Sequence, residues 1–117
     1  MEEILKERAG NFFVIGTIAQ KKDMNAESIS NYFKSLFAVC DLVLYRKTKI
    51  IPKDHTERFV LLKKNDHFLY EILDRLFSTY RETYTKELSS ARVDHVKKKL
   101  EEVLKYANVE IPKESNP

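Results

Sequence analysis

The sequence predicts an all-α protein, an up-down antiparallel bundle of four long helices with one extra short helix. The composition favours long helices over a turn-rich sheet, since the 117 residues include 43% hydrophobic residues, 33% charged residues, two glycines and three prolines. Apolar residues recur at three- and four-residue steps in four segments, as on one face of a helix. Short connections make successive helices antiparallel. Residues 1–107 are expected to form a single bundle domain, and residues 108–117 a polar tail.

The first two long helices are predicted over about residues 2–20 and 26–45. In the first, Gly16 lies among bulky apolar residues and is expected to mark a close contact with another helix. The second carries an unbroken apolar stripe from Ile29 to Leu44, and it is expected to lie at the centre of the bundle with Asn25 as its cap. Pro52 disfavours helical geometry at the residue before it, so residues 46–53 are expected to form a loop.

The short helix and the last two long helices each begin with a capping signal. Asp54 followed by Glu57 resembles a capping box and opens a short helix that runs through about Lys63. Asn65 or Asp66 begins the third long helix, and Ser89 or Ser90 begins the fourth. The inner face of the third is predicted to hold Leu69, Ile72, Leu73, Leu76, Phe77 and Tyr80 and to extend toward Tyr84, and that of the fourth to hold Val93, Val96, Leu100, Val103, Leu104 and Ala107.

Composition disfavours several functional classes. Cys40 is the only cysteine and lies in an apolar stretch, so it is expected in the core, and disulfides within the chain are excluded. His55, His67 and His95 are scattered without ligand spacing, so neither a metal nor another cofactor is expected. No apolar run approaches the ~20 residues of a membrane span, and a cytoplasmic protein without membrane contact is expected. A net charge of +3 permits contact with nucleic acid without requiring it.

Three segments, placed on these helices, are similar to a known family. Residues 30–38, SNYFKSLFA, resemble the Tyr-Tyr-x-x-Phe-x-Ala region of HEPN domains, helical modules named for nucleotide binding in higher eukaryotes and prokaryotes. Residues 52–57, PKDHTE, resemble the Pro-Lys-Thr-His element that opens the short connecting helix of that family. Arg81, within residues 80–84, YRETY, matches a position where many members carry Arg, a polar residue and then Tyr or His. The resemblance covers about residues 1–107 and implies a HEPN-like bundle of a divergent prokaryotic or archaeal kind.

The resemblance also implies a function. Family members bind nucleotides or RNA, form homodimers and often work beside a small nucleotidyltransferase, and the same is expected here. Catalytic members are metal-independent ribonucleases with an Arg and a His separated by roughly four to six residues, and no histidine of this chain follows an arginine at that spacing. Tyr84 follows Arg81 instead, and tyrosine does not ordinarily titrate near neutral pH, as acid–base cleavage requires. No catalytic residue is therefore assigned, and ribonuclease activity is disfavoured.

The candidate nucleotide- or RNA-binding residues are Arg81, Tyr84, His55, Lys53 and Arg46. A guanidinium matches phosphate oxygens in a bidentate fork, so Arg81 is expected to grip phosphate beside the stacking face of Tyr84. His55, at the start of the short helix, is suited to bind an anion. Arg46 and Lys53 belong to the predicted basic loop. Each residue also has a plain interpretation, as a surface arginine paired with a carboxylate, a solvated histidine or solvated loop charge.

A second hypothesis is a non-catalytic protein-interaction bundle of unknown partner. Phe12, Ile15 and Ile18 give the first helix more apolar width than one buried face needs, which suggests a partner surface. The two hypotheses differ in whether a nucleotide or RNA stabilises the folded protein, because a ligand that prefers the folded state raises its melting temperature.

Overall fold

The chain folds into α-helices joined by short connections, and a computed structural model describes residues 1–113 of it. Five helices and no strand occur in that range, so the predicted all-α class is confirmed. The last four residues of the predicted polar tail, 114–117, lie outside the described residues. None of the five helices is long and apolar enough to cross a bilayer. The helices are α1 (Glu2–Lys21), α2 (Asn25–Thr48), α3 (His55–Asn65), α4 (His67–Glu82) and α5 (Ser90–Tyr106).

Helix α2 lies at the centre of the fold, as the sequence predicts. It contacts each of the other four helices, and the ten consecutive residues from Ser35 to Leu44 are all buried. A helix that is covered on every side has to be apolar nearly all round, which this segment is except at Ser35 and Asp41. Cys40 is fully buried in the same segment, and burial, followed by the charge of Asp41, raises the pKa of its thiol.

Helix α1 packs closely on α2 because Gly16 has no side chain. A Cβ atom added at Gly16 would lie 2.5 Å from Cδ1 of Tyr32, well inside van der Waals contact. The carbonyl of Gly16 also accepts a hydrogen bond of 2.7 Å from Oγ of Ser28. Tyr32 is fully buried, and its hydroxyl donates to Oε1 of Gln20 at 2.6 Å. The predicted packing role of Gly16 is therefore confirmed.

Three predicted helix caps form. The side chain of Asp54 accepts from the backbone N–H of Glu57 at 2.8 Å, and that of Asp66 from Leu69 at 3.0 Å. Ser89 caps α5 by accepting from the N–H of Arg92 at 3.2 Å. Each bond satisfies a donor that would otherwise be unpaired at a helix start, so the caps fix where α3, α4 and α5 begin.

Three predicted features near helix ends differ from the structure. Helix α2 continues to Thr48, so the loop begins at residue 49 and not at residue 46 as predicted. The helix can continue this far because Pro52 restricts only the residue immediately before it. The helix ends instead at Lys49, whose φ of 62° is left-handed. Asn25 is not a side-chain cap, because its amide donates to the carbonyl of Leu88 at 2.8 Å. Helix α4 ends at Glu82, which leaves Tyr84 in the turn that follows.

The inner face of α5 is as predicted, since all six residues assigned to it are buried. The chain stays against the core for a short distance beyond α5. Val109 is buried, and Ile111 packs against the same apolar cluster.

Candidate functional site

A buried ion pair joins α2 to α3. Asp41 is an acid within the buried part of α2, and Arg58 projects onto it from the first turns of α3. Nε of Arg58 lies 2.7 Å from Oδ1 of Asp41, and Nη2 lies 2.9 Å from Oδ2, so the pair is bidentate. The two side chains are only 10% and 12% exposed. A buried carboxylate requires such a partner, because leaving the charge uncompensated is costly.

The same arginine fixes His55 at the start of α3. Nη1 of Arg58 lies 2.7 Å from Nδ1 of His55. A guanidinium can only donate, so Nδ1 accepts and the ring proton resides on Nε2. Burial and then the positive charge of Arg58 lower the pKa of His55. His55 is therefore a neutral imidazole near pH 7, held in one tautomer by a relay that runs from Asp41 through Arg58.

Aromatic side chains surround the imidazole. The ring of Phe37 packs against both basic groups, with its centroid 4.6 Å from that of His55 and 4.9 Å from Cζ of Arg58. Phe77 and Tyr80 meet His55 with their rings steeply inclined, at centroid distances of 5.4 and 6.0 Å. These rings exclude water from part of the site and account for the loss of hydration that disfavours the charged imidazolium.

Two tyrosines extend the cluster to the surface. The hydroxyl groups of Tyr80 and Tyr84 are 3.2 Å apart, and the two rings are inclined by 83°. Burial, with the hydrogen bond to Tyr84, raises the pKa of Tyr80 to about 12. Tyr80 therefore stays a phenol at neutral pH. Tyr84 is 72% exposed and offers most of its ring to a ligand.

The structure brings two of the five predicted binding residues into one cluster. His55 contacts the ring of Tyr80, and Tyr84 contacts both its ring and its hydroxyl group. Lys53 is exposed and precedes His55 by two residues. Arg81 is exposed on the last turn of α4, and among residues 1–113 its guanidinium pairs with no carboxylate.

Arg46, the fifth predicted binding residue, connects the ends of three helices. Its Nε lies 2.7 Å from Oε1 of Glu2 at the start of α1. Its Nη1 donates to the carbonyl of Ala107, just beyond α5, at 2.6 Å. These contacts join the C-terminal part of α2 to the start of α1 and to the end of α5. They occupy two of the three nitrogens of the guanidinium.

Asp41, Arg58 and Tyr80 are site residues that no sequence motif singles out. One signal for Asp41 exists, since it is the one charged residue between Leu36 and Leu44. Such a residue implies a buried counter-charge. Arg58 follows His55 by three residues, a spacing that puts both on one face of α3. The apolar periodicity predicts Tyr80 on the inner face of its helix, and its ring packs against the core cluster.

The cluster is suited to binding rather than proton abstraction. Nε2–H of His55 is a donor that meets no hydrogen-bond acceptor within residues 1–113, and it cannot act as a base while Arg58 donates to Nδ1. Tyr80 and Tyr84 add a phenol pair and an exposed ring. Within the described part of the chain, no three His, Cys, Asp or Glu side chains converge so as to hold a metal ion.

Comparison of the chain with protein-family models, with curated proteins and with solved structures finds no match. The fold and the site define the class of protein: its described residues are helical, and a buried Asp–Arg pair orients a neutral histidine beside Tyr80, which in turn contacts Tyr84. The relationship to HEPN domains stays a prediction from the sequence.

Stability should fall with acidification because of His55. Its pKa is lowered in the folded protein, so the unfolded chain binds the proton more readily. The neutral ring makes its full contribution to the free energy of unfolding above about pH 6.5, the pKa of histidine in the unfolded chain. That contribution is lost as the pH falls from this value toward the lower pKa of His55 in the folded protein. We expect the melting temperature of wild type to drop more steeply between about pH 7 and about pH 5 than that of His55→Gln, which can accept from Arg58 but does not titrate. Parallel curves for the two proteins would contradict this.

Proposed function

We propose that the protein is a HEPN-like module, an up-down four-helix bundle with one extra short helix, that binds a nucleotide or RNA at the cluster of His55, Tyr80 and Tyr84. The observation that carries the proposal is that the fixed, neutral His55 and the exposed ring of Tyr84 both contact Tyr80. The protein is expected to act as a homodimer, in partnership with a small nucleotidyltransferase, as the family resemblance implies.

The aromatic part of the site supports recognition of a base. A nucleobase can stack on the ring of Tyr84, a contact worth about 1–3 kcal/mol per base in single-stranded complexes. Nε2–H of His55 is a neutral donor that suits a base carbonyl, a ring nitrogen or a phosphate oxygen. The donor needs no reorganisation on binding, because Asp41 and Arg58 already fix the ring.

Basic side chains beside the cluster support recognition of phosphate. Lys53 lies two residues before His55, and Arg81 lies three residues before Tyr84. The exposed guanidinium of Arg81 makes no ion pair within residues 1–113, so its donors can form a bidentate contact with phosphate. The phosphate source, a mononucleotide or an RNA backbone, is distinguished by screening both.

Tyr84→Ala should weaken nucleotide or RNA binding by about tenfold or more, because the stacking face is removed. Tyr84→Phe keeps the ring and should bind close to wild type. The measurement is a thermal-shift screen with nucleoside mono-, di- and triphosphates and short single-stranded RNA, followed by titration of the best ligand. Tyr84 is 72% exposed, so neither variant should unfold the protein.

Control variants separate the site from general charge effects. Arg81→Ala should weaken binding, whereas Lys64→Ala, which removes an exposed charge at the end of α3, should not. His55→Ala should weaken it, whereas His95→Ala on α5 should not. If no nucleotide or RNA stabilises wild type, the proposal is wrong and the protein-interaction bundle becomes the better hypothesis. If Arg81→Ala and Tyr84→Ala leave binding unchanged, the ligand binds elsewhere.

A further inference from the structure

Helix α1 carries a second apolar face that is exposed in the part of the chain that the structure describes, although Pro112 and Lys113 line one cavity with Ile18 at its end. Its inner side packs on α2, while an outer stripe points to solvent on another side of the helix. Along the stripe the residues follow one another at steps of four and three. We call this set the outer stripe, and it consists of Ile4, Arg8, Asn11, Ile15 and Ile18, all of them exposed.

The spacing of the outer stripe is that of a helix–helix seam. Alternating steps of three and four residues average 3.5, the period at which two helices pack knobs into holes. Ile4, Ile15 and Ile18 are 48%, 46% and 48% exposed, which is unusual for three isoleucines along one line of a helix. Between them lie two polar residues, Arg8 and Asn11. The stripe therefore reads apolar, polar, apolar from one end to the other.

We infer that two copies of the chain pair through the outer stripes of their α1 helices, running antiparallel. This inference rests on the homodimer of the proposed function and names the surface that forms it. In the antiparallel register, Ile4 of each copy lies level with Ile15 of the other. Arg8 of each copy lies level with Asn11 of the other, so that the guanidinium donates to the amide oxygen. Ile18 reaches the level of Met1, which is also exposed.

The polar centre selects this arrangement over a parallel one. In a parallel pair, Arg8 would face Arg8 of the second copy, and like charges brought together in an interface are unfavourable. The antiparallel pair separates the two arginines and gives each a neutral acceptor. A polar residue in an otherwise apolar seam is a known device for fixing register.

The same pattern favours a second copy over an unrelated partner. When the outer stripe of a second copy runs in the opposite direction, its apolar residues face the apolar residues of the first copy and its polar pair faces the polar pair. A two-fold symmetric contact requires such self-complementarity. No acidic residue lies on the outer stripe, so no carboxylate stands opposite the isoleucines of the second copy.

The oligomeric state tests the inference directly. Light scattering after size exclusion should give wild type twice the mass of one chain, and Ile15→Glu should give the mass of one chain. Val60→Glu is the matched control, because Val60 is 61% exposed on α3, away from the stripe, and this variant should remain a dimer. A wild-type monomer at high micromolar concentration, or a dimer of Ile15→Glu, would overturn the inference. Nucleotide binding measured on the same proteins reports separately on the site at His55.

Disulfide cross-linking tests the register. Under oxidation, the Ile4→Cys/Ile15→Cys variant should form a covalent dimer, while Ile4→Cys alone should not. Within one chain the two positions are eleven residues apart on a helix, or about 16 Å, too far for an internal disulfide. Cys40 is fully buried and does not compete. Efficient cross-linking of Ile4→Cys alone would indicate a parallel pair and overturn the inference.

Discussion

Asp41→Leu is expected to lower the free energy of unfolding by about 3–5 kcal/mol, because it leaves the guanidinium of Arg58 buried without a counter-charge. Both ends of the pair are deeply placed, and each nitrogen of Arg58 that faces Asp41 lies within 3 Å of a carboxylate oxygen. Urea unfolding followed by circular dichroism measures the change.

A double variant and a surface control make this test specific. Asp41→Leu/Arg58→Met replaces the whole pair with apolar side chains, and it should recover much of the lost stability, since such replacements are often neutral. Glu71→Gln removes an exposed pair with Arg75 and should change stability little. If Asp41→Leu is no worse than Glu71→Gln, the pair does not stabilise the core.

Gly16→Ala is expected to destabilise the protein by about 2 kcal/mol, against the ordinary preference of helices for alanine. The added methyl would lie 2.5 Å from Tyr32, a fully buried ring that is also held by hydrogen bonds. Either α1 or the ring must move, and both are packed. The midpoint of urea unfolding gives the sign and the size of the change.

Gly10→Ala is the matched control on the same helix. A Cβ there would meet Cγ of Pro112 at 3.7 Å, an ordinary contact. This variant should stabilise the protein by up to about 1 kcal/mol, the usual gain from replacing glycine within a helix. Equal effects of the two substitutions would show that Gly16 is not a close-contact position.

The helices were predictable from the sequence because their signals are local. The caps at Asp54, Asp66 and Ser89 each depend on a backbone donor three residues away, and the apolar periodicity of α2 predicted its central place. The prediction of Asn25 as a cap was wrong because the partner of its side chain is distant in the sequence. Its amide bonds to Leu88, 63 residues along the chain, which no local pattern reveals.

The candidate site was predictable only in part. His55 and Tyr84 were found from sequence motifs, but their meeting at Tyr80 depends on how α3 and α4 fold against each other. The contact between Arg58 and Asp41 likewise requires α3 to fold back on α2. Periodicity predicts which face of a helix is buried, and it does not predict which residue on the neighbouring helix that face will touch.

The burial of Cys40 has a consequence for chemistry in the cell and in the laboratory. A thiol reacts as its thiolate, and burial both raises the pKa of Cys40 and keeps reagents away from it. Oxidation or alkylation must therefore wait until α2 leaves its surroundings, which requires the protein to open as a whole. The rate at which the single sulfhydryl is modified therefore measures how often the native state opens.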